Sequence, residues 1–414
     1  MTRETPVNRN CLLGATLLLL ACGRRDGATA QATSITTRDS SGVTIVEHPP
    51  GALAAAPSFG LGKPILTLGG ASVDSLHDMT FVTKALFLSG GRFLTVDGRA
   101  ARMELFDSTG TRLADFGRRG EGPTDFRGLP VPRRADDGSL WLIDAPARLM
   151  RFSEDLELRI AVVLSGGERN ADLLLPLHGS TVLAVVRAPI VPPFPSSTTI
   201  SRNAEYLVRF DTIRTDTLTK WLGTEWYAPA SNDLGASVWT WSGVEFGRTT
   251  VVDLWGNQVV VGTNDSWTLD VRDSTGALRR RIVLHEAAQP VTEAMRDSVR
   301  SSRRALIHDW KAPAETKAAS MADVDNLLFA HSVAWYQEVI AASDGALWVA
   351  ETVVPTDNAR RYAVFDSSGR LIRRVMMPAR YRLVAADGDR VLVRRRDPDG
   401  IGYLDLVRLV PTAP

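Results

Sequence analysis

Cysteine is almost missing from this 414-residue chain: Cys11 and Cys22 are the only two. The body of the protein therefore has no thiol for redox or metal chemistry and no internal disulfide to reinforce its core. An excess of one charge is missing too. Forty-eight Lys and Arg offset 47 Asp and Glu, leaving a net charge of +1, so no global field draws the chain toward nucleic acid or an anionic surface. No nucleic-acid-binding motif is present, and no nucleic-acid partner is expected. The runs Arg279-Arg280-Arg281 and Arg394-Arg395-Arg396 read as solvated strand edges. Catalytic signatures are absent as well. The chain has no Walker A loop, no dinucleotide fingerprint and no Gly-x-Ser-x-Gly elbow. Its histidines, His48, His77, His178, His285, His308 and His331, lack the spacing that sets two imidazoles on one zinc ion.

Long apolar runs are confined to one place. Cys11 to Ala21 is apolar and follows Arg3 and Arg9. It is too short to span a bilayer and has the pattern of a signal-peptide core. It ends in Leu19-Leu20-Ala21-Cys22, which resembles a lipobox. That resemblance implies cleavage after residue 21 and lipidation of Cys22. Several acyl chains there would hold the protein durably, where one chain is marginal. Gly23 replaces the aspartate that favours inner-membrane retention, which points to the outer membrane, facing the periplasm. Residues 22–38, rich in Gly, Ala and Thr, read as a flexible tether.

The rest of the chain, residues 39–414, repeats itself. Gly91-Arg92-Phe93-Leu94-Thr95-Val96-Asp97 matches Gly138-Ser139-Leu140-Trp141-Leu142-Ile143-Asp144 and Gly345-Ala346-Leu347-Trp348-Val349-Ala350-Glu351. Weaker copies start at Gly179, Gly256 and Gly388. Each is followed by a strand ending near Phe106, Phe152, Phe210, Val271, Phe365 or Leu406. The period, about 40 to 60 residues, suits a four-stranded propeller blade. A tight turn recurs after the second of these strands, as Asp107-Ser108-Thr109-Gly110, Asp273-Ser274-Thr275-Gly276 and Asp366-Ser367-Ser368-Gly369. Asp and Ser bond the local backbone there, and Gly takes the positive φ.

A fourth copy of the turn, Asp39-Ser40-Ser41-Gly42, precedes the strand Val43 to Val46 and has no unit of its own. The last unit, conversely, stops after its third strand. The expectation is an all-β, six-bladed β-propeller in which this amino-terminal strand completes the sixth blade and leaves no open edge. The segment Gly117-Arg118-Arg119-Gly120-Glu121-Gly122-Pro123-Thr124-Asp125-Phe126, with the strand ending at Asp144, resembles the inter-blade segment of NHL-like six-bladed β-propellers, although Thr124 stands where glycine is usual. The resemblance implies fold and not activity.

In such a ring, inter-blade connections and second-to-third-strand loops share one face. The long segments 188–201, 224–248, 286–334 and 352–360 all belong to it, so this face is expected to carry the function. The insertion 286–334, between blades four and five, reads as two helices. One has the apolar stripe Met295, Val299, Leu306 and Trp310. The second, with Met321, Val324, Leu327 and Leu328, has Ser320 as its N-cap. The pair reads equally as a lid over a central channel or as a pad on a blade edge. Trp226, Tyr227, Trp239 and Trp241 offer aromatic faces for stacking, and Arg99, Arg148 and Arg360 offer cations near the same rim. Trp141 and Trp348, at matching strand positions, read as core. Asp97, Asp144, Asp265 and Glu351 close equivalent strands, and a ring of such oxygens suits calcium. The alternative for each is pairing with an arginine of its own blade.

The leading functional reading is an envelope-anchored binding module, attached to the membrane through its lipid, that recognises a peptide, a glycan or an envelope protein. The second is a calcium-dependent, lactonase-like hydrolase or a lyase. The third is a structural subunit of an envelope complex.

Overall fold

The computed structural model describes residues 34–412 except 71–78, 136, 145–147, 164–170, 177–181, 189–198, 211–214 and 230–240. The signal segment, Cys22, most of the tether, His77, His178, Trp239 and the proline-rich part of 188–201 lie outside the described residues. The fold is all-β, built from short antiparallel meanders. Their residue ranges are 82–116, 133–163, 171–227, 251–284, 336–378 and 381–411, taken below as first to sixth. Among the described residues, no helix is long and apolar enough to cross a membrane.

Local sequence explains the meanders. Second strands such as Phe93–Asp97 and Leu347–Glu351 are apolar apart from Thr95 and the acid that ends each, and buried up to that acid, whereas the fourth strand Arg112–Phe116 alternates in burial like an outer edge. The Asp turns form as the residues dictate. Asp107 Oδ1 accepts from the N–H groups of Thr109 and Thr111 at 2.8 and 2.9 Å, and Gly110 has φ 87°. Asp273 and Asp366 repeat the pattern. In the second meander Ser153 replaces the aspartate, and Leu156 itself adopts φ 63°.

The core is divided into clusters that each bridge two meanders. Leu94, Met103, Leu140 and Phe152 join first to second, and Trp141, Val182 and Phe210 join second to third. Leu183, Leu207, Leu254 and Val259 join third to fourth, while Trp267, Tyr336 and Phe365 join fourth to fifth. Trp348, Tyr362, Leu383 and Val391 join fifth to sixth. Val82, Phe93, Val384 and Leu392 then join sixth to first, so the packing is cyclic.

The amino-terminal segment departs from expectation. The hairpin of β1 (Thr36–Ser40) and β2 (Val43–His48) forms across the predicted turn. It does not complete the sixth meander. β2 lies parallel to the outer strand Leu278–Leu284 of the fourth, with Thr44 opposite Arg280 and His48 opposite Leu284. The strand that completes the sixth meander is β3 (Ser58–Gly69), antiparallel to Gly402–Pro411. The reason is burial. Phe59 and Leu61 pack on the cluster between fifth and sixth meanders, and Leu66 and Leu68 on that between sixth and first. β2 buries less: its buried residues are Val46 and His48, and His48 meets Phe365 of the cluster between fourth and fifth meanders edge-on at 5.7 Å. Between β2 and β3 runs the short helix α1 (Ala52–Ala55).

The insertion is helical, with α2 (Glu293–Asp309) and α3 (Ala314–Asp325). Two expectations are corrected. Leu306 is 74% exposed and Trp310 48% exposed, so the buried stripe of α2 consists of Met295 and Val299. α3 starts at Ala314 with Pro313 in the cap position, which leaves Ser320 inside the helix. Proline supplies the entry there because its fixed φ already fits a helix start.

Candidate functional site

Lys84, Asp253 and Glu338 are each the third residue of a first strand, in Val82-Thr83-Lys84, Val251-Val252-Asp253 and Tyr336-Gln337-Glu338. With Arg133 of the second meander they line a cavity of about 360 Å³. Arg187, also in its walls, ends a strand that runs into a second-to-third-strand loop, and Thr250 closes an inter-meander connection just before Val251. The cavity therefore lies beneath the loop-rich end.

Its charges are arranged across meanders. Arg133 forms an ion pair with the buried Asp253. Asp253 also accepts from Leu254 N–H at 2.9 Å and from Ala341 N–H at 3.4 Å. Burial pushes its carboxyl up, but Arg133 and Lys84 outweigh that and hold it below the ordinary value. Arg187 lies 3.5 Å from Glu205, which also accepts from Trp221 Nε1 at 3.0 Å. Arg382 lies 3.4 Å from Glu338. Lys84 has no hydrogen bond or ion pair among the described residues. Desolvation lowers its pKa below the ordinary 10.5, against the opposing pull of Asp253 and Glu338. A depression of about 760 Å³ at the opposite end carries charges that are paired, Arg134 with Glu154 and Arg151 with Asp137.

Long loops meet at the cavity end. Phe246 from the third connection, Val291, Met295, Phe329 and Val333 from the insertion, and Val354 from the fifth meander's loop form a small apolar cluster. Glu245 N–H donates to Leu328 O at 2.9 Å, Ala330 N–H donates to Glu245 O at 3.0 Å, and Arg303 pairs with Glu245. The chain leaves this cluster directly into Thr250–Asp253 and Gln337–Val339, so loop packing and cavity wall are one continuous structure.

The residues singled out by sequence are placed differently. Asp97 Oδ1 accepts from Arg99 and Ala100 N–H, both at 2.8 Å. Asp144 accepts from Arg127 and Gly128 N–H and pairs with Arg148 at 2.7 Å. Asp265 pairs with Arg202 at 2.7 Å, and Glu351 is held by both ends of Arg374 at 2.7 and 2.5 Å. Each carboxylate already has its partners. Among the described residues, no group of three or more His, Cys, Asp or Glu is placed to hold a metal ion. These four residues do not fit a shared calcium site.

Of the aromatic and basic candidates, only Trp226 and Trp241 meet among the described residues. Trp226 donates to Asn203 Oδ1 at 3.1 Å and meets Trp241 edge-on at 4.7 Å. Trp241 is 37% exposed, whereas Tyr227 is core. Arg99 stacks over Phe81 at 4.9 Å, and Arg360 donates to Ala379 O at 3.1 Å. Trp141 and Trp348 are buried as expected. The cavity residues were missed by sequence reading. Their signal was a charge recurring at the third place of three first strands, Val82–Phe87, Val251–Trp255 and Tyr336–Ala341.

No family model and no curated protein matches this chain. Among solved structures, it is similar to a presumed exported protein from Bacteroides fragilis NCTC 9343, with 12% identity, a TM-score of 0.46, and coverage of 86% of this chain and 99% of that one. A DUF4221 family member from Bacteroides vulgatus has 10% identity, a TM-score of 0.46 and coverage of 86% and 99%. Regucalcin from Agrobacterium tumefaciens, a calcium-binding protein, has 9% identity, a TM-score of 0.36 and coverage of 85% and 97%. Likeness at this level does not extend to activity.

Proposed function

We propose that this chain is a lipid-anchored envelope protein, held through Cys22 on the periplasmic side of the outer membrane, whose six meanders are the blades of an NHL-like β-propeller. Its role is binding, and its site is the charged cavity under the loop-rich face. The ring arrangement draws support from the core clusters, which join each meander to the next and the sixth to the first. The observation that carries the binding role is the cavity itself, in which Lys84 makes no direct ion pair among the described residues and feels only the longer-range pull of Asp253 and Glu338. Buried charge left unpaired is costly, and ligand sites are where such cost is tolerated. The occupant is a small molecule, or the end of a peptide or glycan chain.

Native mass spectrometry of the full chain, purified in detergent after exposure to an envelope extract, tests this. A bound species is expected. Thr250→Trp, which puts an indole at the cavity wall, should lose that species while circular dichroism stays unchanged. Retention of the species by Thr250→Trp would remove the cavity as the site. For the anchor, Cys22→Ala should abolish labelling by radioactive palmitate.

A further inference from the structure

α2 and α3 form a hairpin whose far end stands clear of the body. Only the first part of α2 is packed: Met295 and Val299 are buried against the loop cluster, and no later residue of the helix is buried. From Val299 to Asp309 the helix runs on for about 15 Å. α3 returns with Val324 as its buried residue. Residues 301–318 are exposed apart from 307, 312 and 317, which are half-buried. This end is nevertheless apolar. Leu306 and Trp310, four places apart, share one face, and Ile307, Ala312 and Pro313 surround them in the chain. Single exposed hydrophobic residues are ordinary, but a cluster at the end of a projecting hairpin marks an interaction surface. The exposed Lys311 follows the indole, and indole with ammonium is the chemistry of the lipid headgroup level.

The entry point of the chain indicates what covers this surface. Thr36, at the start of β1, pairs with Glu47 of β2, and Glu47 pairs with Val283 of the fourth meander's outer strand. Two strand spacings, about 10 Å, separate Thr36 from Val283. That strand runs on into the insertion, and His285 N–H donates to His48 O at 3.2 Å. The chain arriving from Cys22 thus joins the body at the root of the hairpin. Residues 23–35 lie between, and a segment of that length spans at most roughly 45 Å. A bilayer holding Cys22 is therefore within reach of the hairpin.

We infer that the end of the α2–α3 hairpin docks on the phospholipid surface of the membrane that carries the anchor, with Leu306 and Trp310 entering the interface and Lys311 at the headgroups. This rests on lipidation of Cys22. The loop-rich end is thereby held close to the bilayer.

Fluorescence quenching of the lipidated full chain in vesicles of phosphatidylethanolamine and phosphatidylglycerol tests this. With Cys11 removed in the signal segment and the Cys22 sulfur carrying lipid, Leu306→Cys and Ser108→Cys each supply a single reactive thiol for a nitrobenzoxadiazole label. Ser108 lies in an exposed turn against Gly91, at the opposite end of the meanders. The label at 306 should shift to the blue on reconstitution, and nitroxide-bearing lipid should quench it at least about threefold more than the label at 108. Adding Trp310→Ser should reduce that excess; the indole is half exposed, so circular dichroism should not change. Equal quenching at the two positions, in protein that incorporates radioactive palmitate, would overturn the inference and leave the anchor standing. A blue shift without lipid quenching, seen only at high protein density, would make this end a contact between copies and overturn it equally. Absence of palmitate label in the unsubstituted chain would remove the anchor and the inference together.

Discussion

β2 and β3 lie within one stretch of chain and are both strands, yet they do different work. β2 follows a copy of the repeat's own Asp-Ser-Ser-Gly turn and ends up as an added outer strand on the fourth meander. β3 follows no such turn and completes the sixth meander. A turn motif specifies a hairpin with its neighbour. It says nothing about which distant edge the hairpin then meets. That choice goes to the strand that buries more apolar surface, and β3 has Phe59, Leu61, Leu66 and Leu68 to bury.

This contrast can be broken hardest at Asp405. It is fully buried in the sixth meander, accepts from Thr67 of β3 at 2.7 Å and pairs with Arg395 at 2.7 Å. Asp405→Ala should cost about 3 kcal/mol, the lower end for breaking a buried pair because Arg395 keeps some access to water. Urea unfolding should show a lower midpoint with an unchanged slope.

The two turn glycines give the next largest difference. Both Gly110 and Gly42 have positive φ, 87° and 81°. A methyl group on Gly110 would meet Leu66 and Leu68 side-chain carbons of β3 at 2.8 and 2.9 Å, whereas Gly42 has nothing within 4 Å. Gly42→Ala should cost only the backbone strain, about 1 kcal/mol, and Gly110→Ala about 1 kcal/mol more for repacking leucine tips. Equal losses in thermal melts would mean that β3 does not press on that turn.

The smallest expected effect depends on pH and tests β2. His48 Nδ1 lies 3.1 Å from Val283 O, and Nε2 accepts from Leu371 N–H at 2.9 Å. The ring is therefore neutral, with its proton on Nδ1. Burial lowers its pKa from 6.5, with Arg370 and His285 acting in the same direction and Asp366 and the Val283 carbonyl opposing. The unfolded chain then takes up the proton first. Stability from this residue is complete above about pH 6.5 and declines as the pH falls toward the lowered folded value. The difference in unfolding free energy between wild type and His48→Gln should shrink between neutral and mildly acidic buffer. A constant difference would leave His48 out of the acid response.

Much of the architecture was legible along the chain. Second strands, Asp turns and the helical insertion announce themselves through local chemistry, and Trp141 and Trp348 marked matching buried positions. The candidate site was harder to see. Asp97, Asp144 and Glu351 stand out because they end conspicuous strands, but that position gives them nearby N–H groups and arginines, which occupy them. Lys84, Asp253 and Glu338 stood in plain view, yet their meaning depends on strands more than 80 residues apart facing one space.

The order of strands and turns, the repeat and the burial of each strand face followed from residues within a few places of one another, where side-chain alternation and backbone bonding act. The partner of β2, the strand that closes the sixth meander and the meeting of Lys84, Asp253 and Glu338 around one cavity were decided only by tertiary structure. Every strand edge offers the same backbone groups, so local chemistry cannot rank the available pairings. The ranking comes from how much apolar surface and how many charges each arrangement satisfies at once.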